Sequence, residues 1–368
     1  MMLWLAIPVL FLSFYLFEKY SIKNAFRGID YDIKPSRTLV EVDEEFNLET
    51  TIANSKWLPV DFLMFEEILP EKIKLMEQAS HVRATKRGNA LVDCTYLRSY
   101  EELKRKWSAS MPKRGIYFFW GATLRAGSIL GLTETTKEFH LTREVVVKPK
   151  PAHSIELNRQ LGRFIGEHSV NIFLYEDPIL TIGFRDYADH DPMGAISWKQ
   201  TARLGKLMVK KFDHTLDLST TIVLNIDGIP EESETLLSMT RTVCDFLETA
   251  EIPYKLVSNA TIGGRTFSIP DGLGSEHLNS ALEFLGRVSL NTYENFKEML
   301  AKIAKGAEHG RAHILLTAKP SPDVEPFLYK LRARTGRKVL ILTPEMGSTL
   351  EDSKIDTTTS EVEVRKWA

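Results

Sequence analysis

At 368 residues the chain is longer than one hydrophobic core ordinarily serves, so two or three folded units are expected. It is 43% hydrophobic and 26% charged, and its formal net charge of -2 gives no electrostatic ground for a nucleic-acid partner. Two cysteines far apart, Cys94 and Cys244, argue against a disulfide framework and against a cysteine-ligated metal.

The run from Met1 to Phe17, MMLWLAIPVLFLSFYLF, holds no charge and one serine. As a helix it spans about 25 Å, against a hydrocarbon core of about 30 Å. Tyr15 and Tyr20 are placed for the interface and Lys19 to snorkel towards it. No basic stretch precedes the run and no small-residue cleavage site follows it, so a transmembrane anchor over 1–22 is expected rather than a cleaved signal. A buried core helix is the alternative. Lys19, Lys23 and Arg27 flank the run, so the expectation is a single-pass cell-membrane protein with its C-terminal domains cytoplasmic.

Residues 27–150 show a period of two, as in Thr38-Leu39-Val40-Glu41-Val42 and Asn47-Leu48-Glu49-Thr50-Thr51-Ile52. One core face and one wet face follow, which predicts an antiparallel β-sandwich. Lys86-Arg87-Gly88-Asn89 reads as a hairpin turn, and Glu101 to Trp107 as a short charged insertion. After Pro149-Lys150-Pro151, residues 151–218 read as an irregular linking segment.

From 219 to 345 the period changes. Thr220 to Ile226, His313 to Thr317 and Lys338 to Leu342 are apolar runs of strands buried on both faces. Between them Leu236, Leu237, Thr240, Val243, Cys244 and Leu247 recur at helical spacing. Further helices are predicted from Ser275, over Tyr293 to Lys305, and over Asp323 to Arg334 closed by Gly336. This is a doubly wound, mainly parallel sheet. Residues 346–368 form a polar tail in which Ser360 to Val364 is a candidate edge strand.

Several ordered phrases occur: Arg185-Asp186-Tyr187, Asp191, Ile196-Ser197-Trp198-Lys199, Ala202-Arg203, and Leu207-Met208-Val209-Lys210-Lys211-Phe212. Upstream stand Lys113-Arg114-Gly115-Ile116-Tyr117 and Gly127-Ser128-Ile129-Leu130-Gly131-Leu132. In this order they resemble the domain-of-unknown-function-58 family, although His190, Gly194 and Ser197 depart from its pattern. The resemblance implies an α+β multidomain protein: an N-terminal transmembrane helix, a β-sandwich, then an α/β von Willebrand factor A-like (Rossmann-like) domain. It also implies a MoxR-type AAA+ ATPase as protein partner. Intact A-like domains hold a divalent cation with Asp-x-Ser-x-Ser. Here Asp227 keeps the first position while Ile229 and Glu231 replace both serines, leaving a degenerate set of Asp227, Glu231 and Ser233. Mg²⁺ requires several well-placed oxygens, so no cofactor is expected.

Ligands of open α/β sheets sit at the carboxyl ends of the strands, here near Asp227, Asn259, Thr317 and Thr343. Gly162-Arg163-Phe164-Ile165-Gly166 lacks the lysine and preceding strand of a phosphate loop and reads as a turn. No Gly-x-Ser-x-Gly elbow and no His-Glu-x-x-His occur. The densest polar cluster is Arg185, Asp186, Tyr187, Asp189, His190 and Asp191. Arg185, Asp191 and Trp198 suit an internal staple joining the segment to the sheet. The polar cluster itself suits a docking surface, as part of a motif of Arg185, Asp186, Tyr187, Asp191, Trp198, Lys199 and Arg203, and the two roles are compatible. The expectation is a non-catalytic, membrane-anchored adaptor. The alternatives are a cation-dependent receptor at Asp227 and a metal-dependent hydrolase using the Asp186–Asp191 cluster.

Overall fold

The computed structural model describes residues 2–76, 82–85, 88–128, 133–172, 181–188, 191–212 and 219–346. The hairpin residues 86–87, residues 129–132 of the glycine-rich phrase, Asp189, His190 and the expected edge strand at 360–364 lie outside the described residues. The chain divides into two compact units, Met1–Lys150 with Leu282–Arg287, and Pro151–Ala281 with Val288–Ala368.

The first unit opens with helix α1, Met2–Lys23. Val9 to Phe17 are exposed apolar side chains apart from Ser13, whereas Glu18 and Ala25 at the base are buried. Among the described residues no helix is long and apolar enough to cross a membrane, and the side chains of residues 1–8 lie outside that description. Strands β1 (Ile29–Pro35), β2 (Leu39–Val40), β3 (Phe46–Asn54), β4 (Val60–Ile68) and β5 (Lys74–Leu75) follow. Then come β6 (Val82–Thr85), β7 (Gly88–Leu97), β8 (Glu102–Ser110), β9 (Gly115–Gly127) and β10 (Glu134–Val147). They form two sheets, ordered β1-β3-β8-β5 and β2-β10-β9-β4-β7-β6, antiparallel except for β2 against β10.

The alternation seen in the sequence places Tyr31, Ile33, Leu48 and Ile52 of one sheet in a single core with Leu63, Phe65, Phe119 and Leu124 of the other. This is a β-sandwich. Each such fully buried side chain stabilises it by about 1.5–3 kcal/mol relative to exposure.

The expected charged insertion is instead strand β8. Lys104 and Lys106 face water while Leu103, Arg105 and Trp107 turn inward. Alternation survives there because the Arg105 guanidinium lies 5.6 Å from the Phe65 ring centroid and pairs with Asp93, so its stem behaves as apolar.

The second unit begins with helix α2, Ile155–Ile172, so the expectation of an irregular segment fails over that stretch. Gly162 and Gly166 lie inside this helix and not in a turn. Leu157, Leu161 and Phe164 recur one turn apart and are buried. Next come β11 (Thr181–Asp186), α3 (Trp198–Leu204) and β12 (Met208–Phe212), with β11 and β12 paired antiparallel.

The α/β layer comprises β13 (Thr220–Leu224), α4 (Pro230–Thr249), β14 (Tyr254–Ile262), β15 (Arg265–Gly272), α5 (Ser275–Arg287) and β16 (Ser289–Thr292). It closes with α6 (Phe296–Gly306), β17 (Ala312–Leu316), α7 (Glu325–Thr335) and β18 (Val339–Leu342). Its sheet runs β15-β14-β13-β17-β18, with the last four parallel, β15 antiparallel, and β16 also pairing β14. Every residue of β13 and β17 is buried, as continuous apolar runs demand. Gly336 ends α7 at φ 67°, the left-handed conformation a glycine tolerates. The order reverses between β13 and β17, which puts the crevice of the sheet at their carboxyl ends.

Candidate functional site

Two places gather the polar residues singled out by sequence. The first is the module from 181 to 212. The Arg185 guanidinium donates to both oxygens of Asp191 at 2.5 Å, and the Ala188 backbone N–H donates to the same carboxylate at 2.9 Å. The Asp191 side chain is 5% exposed, against 47% for Arg185. The carboxylate is thus desolvated and held by three donors while the cation keeps one side in water. Asp186, at the end of β11, pairs with Lys206 at 2.8 Å with both side chains exposed. The Tyr187 N–H donates to the Leu207 carbonyl at 3.1 Å, continuing the β11–β12 ladder.

Trp198 does not join the staple. It opens α3 and is 65% exposed. The reason is local: the Ser197 N–H is spent on the Met208 carbonyl, Thr201 Oγ1 accepts from the Met208 N–H, and the helix buries none of its seven residues. Gly205, at φ 68°, caps the helix and reverses the chain into β12. Lys199 and Arg203, one turn apart, are exposed on α3. Phe184, Met193, Leu204 and Leu207 also expose their side chains. The expectation that a buried Trp198 completes the staple of Arg185 and Asp191 is corrected by its exposure.

The second place is the crest of the α/β sheet. Asn225, just past β13, donates to Thr317 Oγ1 at 3.0 Å and accepts from Asn259 Nδ2 at 2.7 Å and from the Asp227 N–H at 3.2 Å. Asn259 Oδ1 accepts from the Ile226 N–H at 3.0 Å. All three side chains are buried, so this amide network ties three neighbouring strands at the switch point. Asn259 and Thr317 were placed at strand ends by sequence. Asn225 was missed, and its one signal was a polar residue two positions before the strand-end Asp227.

Asp227 itself is exposed; desolvation at the strand end pushes its carboxyl above the usual range, against hydrogen bonds from Thr292 and Asn259. Ser233 is buried and its hydroxyl donates to the Ile226 carbonyl at 3.2 Å, while Glu231 points to water in the first turn of α4. A Cβ added at Gly228 would come 2.9 Å from Ala318 Cβ, so the crest loops already touch. Among the described residues no group of three or more His, Cys, Asp or Glu side chains is placed to hold an ion.

No known family profile matches the chain. A CARDB domain of a Pyrococcus furiosus protein shares 14% identity, covering 32% of this chain and 91% of its own, with a TM-score of 0.21. A cohesin module from a family 33 glycoside hydrolase of Clostridium perfringens shares 14% identity, covering 32% and 96%, with a TM-score of 0.22. Over 355 residues, 94% of this chain and 83% of the relative, the sequence is 22% identical to the uncharacterized protein YeaD of Bacillus subtilis (strain 168).

Proposed function

We propose that the chain is a membrane-tethered, non-catalytic adaptor whose 181–212 module docks a protein partner. One observation carries this reading: α3 buries nothing, yet it presents Trp198 beside Lys199 and Arg203 on a base fixed by the Arg185–Asp191 pair. Tryptophan and arginine are the usual anchors of protein interfaces, and a rigid base lowers the entropic cost of docking them. The carboxylates of the module favour docking over hydrolysis, because Asp186 is paired with Lys206 and Asp191 with Arg185.

The exposed apolar face of α1 supports the tether at a cell membrane, with the C-terminal units on the cytoplasmic side. Strand order β14-β13-β17-β18 supports a von Willebrand factor A-like assignment for the α/β layer. The resemblance to the domain-of-unknown-function-58 family names a MoxR-type AAA+ ATPase as the partner. Binding of a purified MoxR-type ATPase to the full chain in detergent micelles tests the reading. Saturable binding that Trp198→Ala weakens is expected, and absence of binding at any nucleotide state contradicts it.

A further inference from the structure

The end of the sandwich from which α1 leaves is built from two loops, 55–59 between β3 and β4 and 98–101 between β7 and β8. Strand registers bring them together: Ile29 pairs with Asn54, Val60 with Leu97, and Ala53 with Glu102. The 55–59 loop is stitched to the turn that follows the helix. The Ser55 N–H and hydroxyl donate to the Gly28 carbonyl at 2.8 and 2.9 Å, and Lys56 Nζ donates to the Ala25 carbonyl. The loops also bond each other. The Tyr100 N–H donates to the Lys56 carbonyl at 3.2 Å, and buried Asn54 donates to the carbonyls of Leu58 and Arg98 at 3.0 and 2.8 Å.

On this rigid end the large side chains face outward. Trp57 is 59% exposed and Tyr100 71%, and Phe62 and Tyr96 are exposed beside them in sequence and register. The Arg98 guanidinium stands 5.8 Å from the Tyr96 ring centroid. Four aromatic residues, two on these loops and two on the adjoining strands, are thus exposed at the end of the sandwich from which an apolar helix leaves. Helix α1 ends at Lys23, three residues or about 4.5 Å of rise beyond Tyr20, which sets the turn below it at the depth of the roughly 5–8 Å of headgroup beyond each face of the hydrocarbon. Tryptophan and tyrosine prefer that layer.

We propose that this end of the sandwich is a second membrane contact, in which Trp57 and Tyr100 of the 55–59 and 98–101 loops, with Phe62 of β4 and Tyr96 of β7, enter the headgroup layer of the bilayer that α1 occupies. This rests on the tether in the preceding reading. The contact fixes the sandwich against the membrane instead of leaving it to swing on the helix. On and beside the loops Asp61, Glu101 and Glu102 offset Lys56, Arg98 and Lys104, so the aromatic contact itself calls for no anionic lipid beyond what Lys19, Lys23 and Arg27 at the helix foot attract.

The test uses the full chain reconstituted in phosphatidylcholine vesicles whose acyl chains carry bromine near the headgroup, a quencher of tryptophan. Parent and Trp57→Phe are compared with the same proteins in unbrominated vesicles, and retention after an alkaline wash is measured in parallel. Because Trp57 is exposed, the phenylalanine variant keeps its fold. The expected result is retention of both proteins, with the parent-minus-variant emission quenched by bromine and lost from the variant. Retention with an unquenched difference emission overturns the contact while leaving the tether standing. Loss of both proteins in the wash overturns the tether and the contact with it. Quenching that appears only when phosphatidylglycerol is added overturns the zwitterionic assignment.

Discussion

Arg185 and Asp191, six residues apart, close on each other through two hydrogen bonds of 2.5 Å, and the pair stands inside one small module. The Ala188 N–H serves the same carboxylate. What the pair holds rigid is the platform under α3.

Removing the anion from this pair leaves a half-exposed guanidinium and an orphaned amide, so the effect is local. Asp191→Ala is expected to loosen the 181–212 module by about 1–3 kcal/mol, discounted for the solvent-facing side of Arg185. Amide hydrogen exchange at Tyr187 and Met208 checks it. Faster exchange there with the rest of the sheet unchanged is the expected pattern.

Trp198→Ala separates surface from core. A buried tryptophan would lose about 3–5 kcal/mol on truncation. With the side chain 65% exposed, the melting temperature is expected to stay near that of the parent, within about 0.5 kcal/mol of stability. Calorimetric melting of the two proteins measures this.

Glu67 gives the sandwich a pH dependence. It is fully buried between the sheets, where Tyr31 Oη and Thr50 Oγ1 donate to it at 2.8 and 2.7 Å. Burial pushes its carboxyl up to about 7, against those hydrogen bonds and the charge of Arg105. The folded state therefore keeps a proton that the unfolded chain releases near the ordinary glutamate range, so stability falls as pH rises from about 4.5 to about 7 and levels off above. The size is at most about 3 kcal/mol, from 1.36 kcal/mol per pH unit. Chemical denaturation between pH 5 and 8 is expected to show this slope in the parent and a flatter profile in Glu67→Gln.

At the crest, Asn259→Ala strands the Ile226 N–H, at about 1–3 kcal/mol, and removes one of the two donors to Asn225 Oδ1. Thermal melting checks it. Titration calorimetry of Mg²⁺ into the parent is expected to give no saturable heat in the micromolar range, because Ile229 and Glu231 stand where two serines would supply oxygens beside Asp227.

Much of the architecture could be read in advance because burial imposes periods. The apolar runs of β13 and β17 and the helical spacing of α4 admit one solution each. Strand β8 escaped because lysine and arginine supply both faces, and only their stems reveal which one is inside. Helix α2 escaped because charged residues surround Leu157, Leu161 and Phe164. The site divides the same way. The Arg185–Asp191 pair follows from opposite charges in a tight loop. Exposure of Trp198 does not follow, since composition never states which side of a short helix finds a neighbour. Asn225, Asn259 and Thr317 meet across three strands, and no local window contains them.

The most direct test of the adaptor reading measures the affinity of a purified MoxR-type AAA+ ATPase for the full chain and for Trp198→Ala, with circular dichroism confirming that both are folded. An interface anchored at Trp198 predicts saturable binding weakened by about 2 kcal/mol, roughly thirtyfold, in the variant. Equal affinity of parent and variant, or no binding by either, would contradict docking through this module.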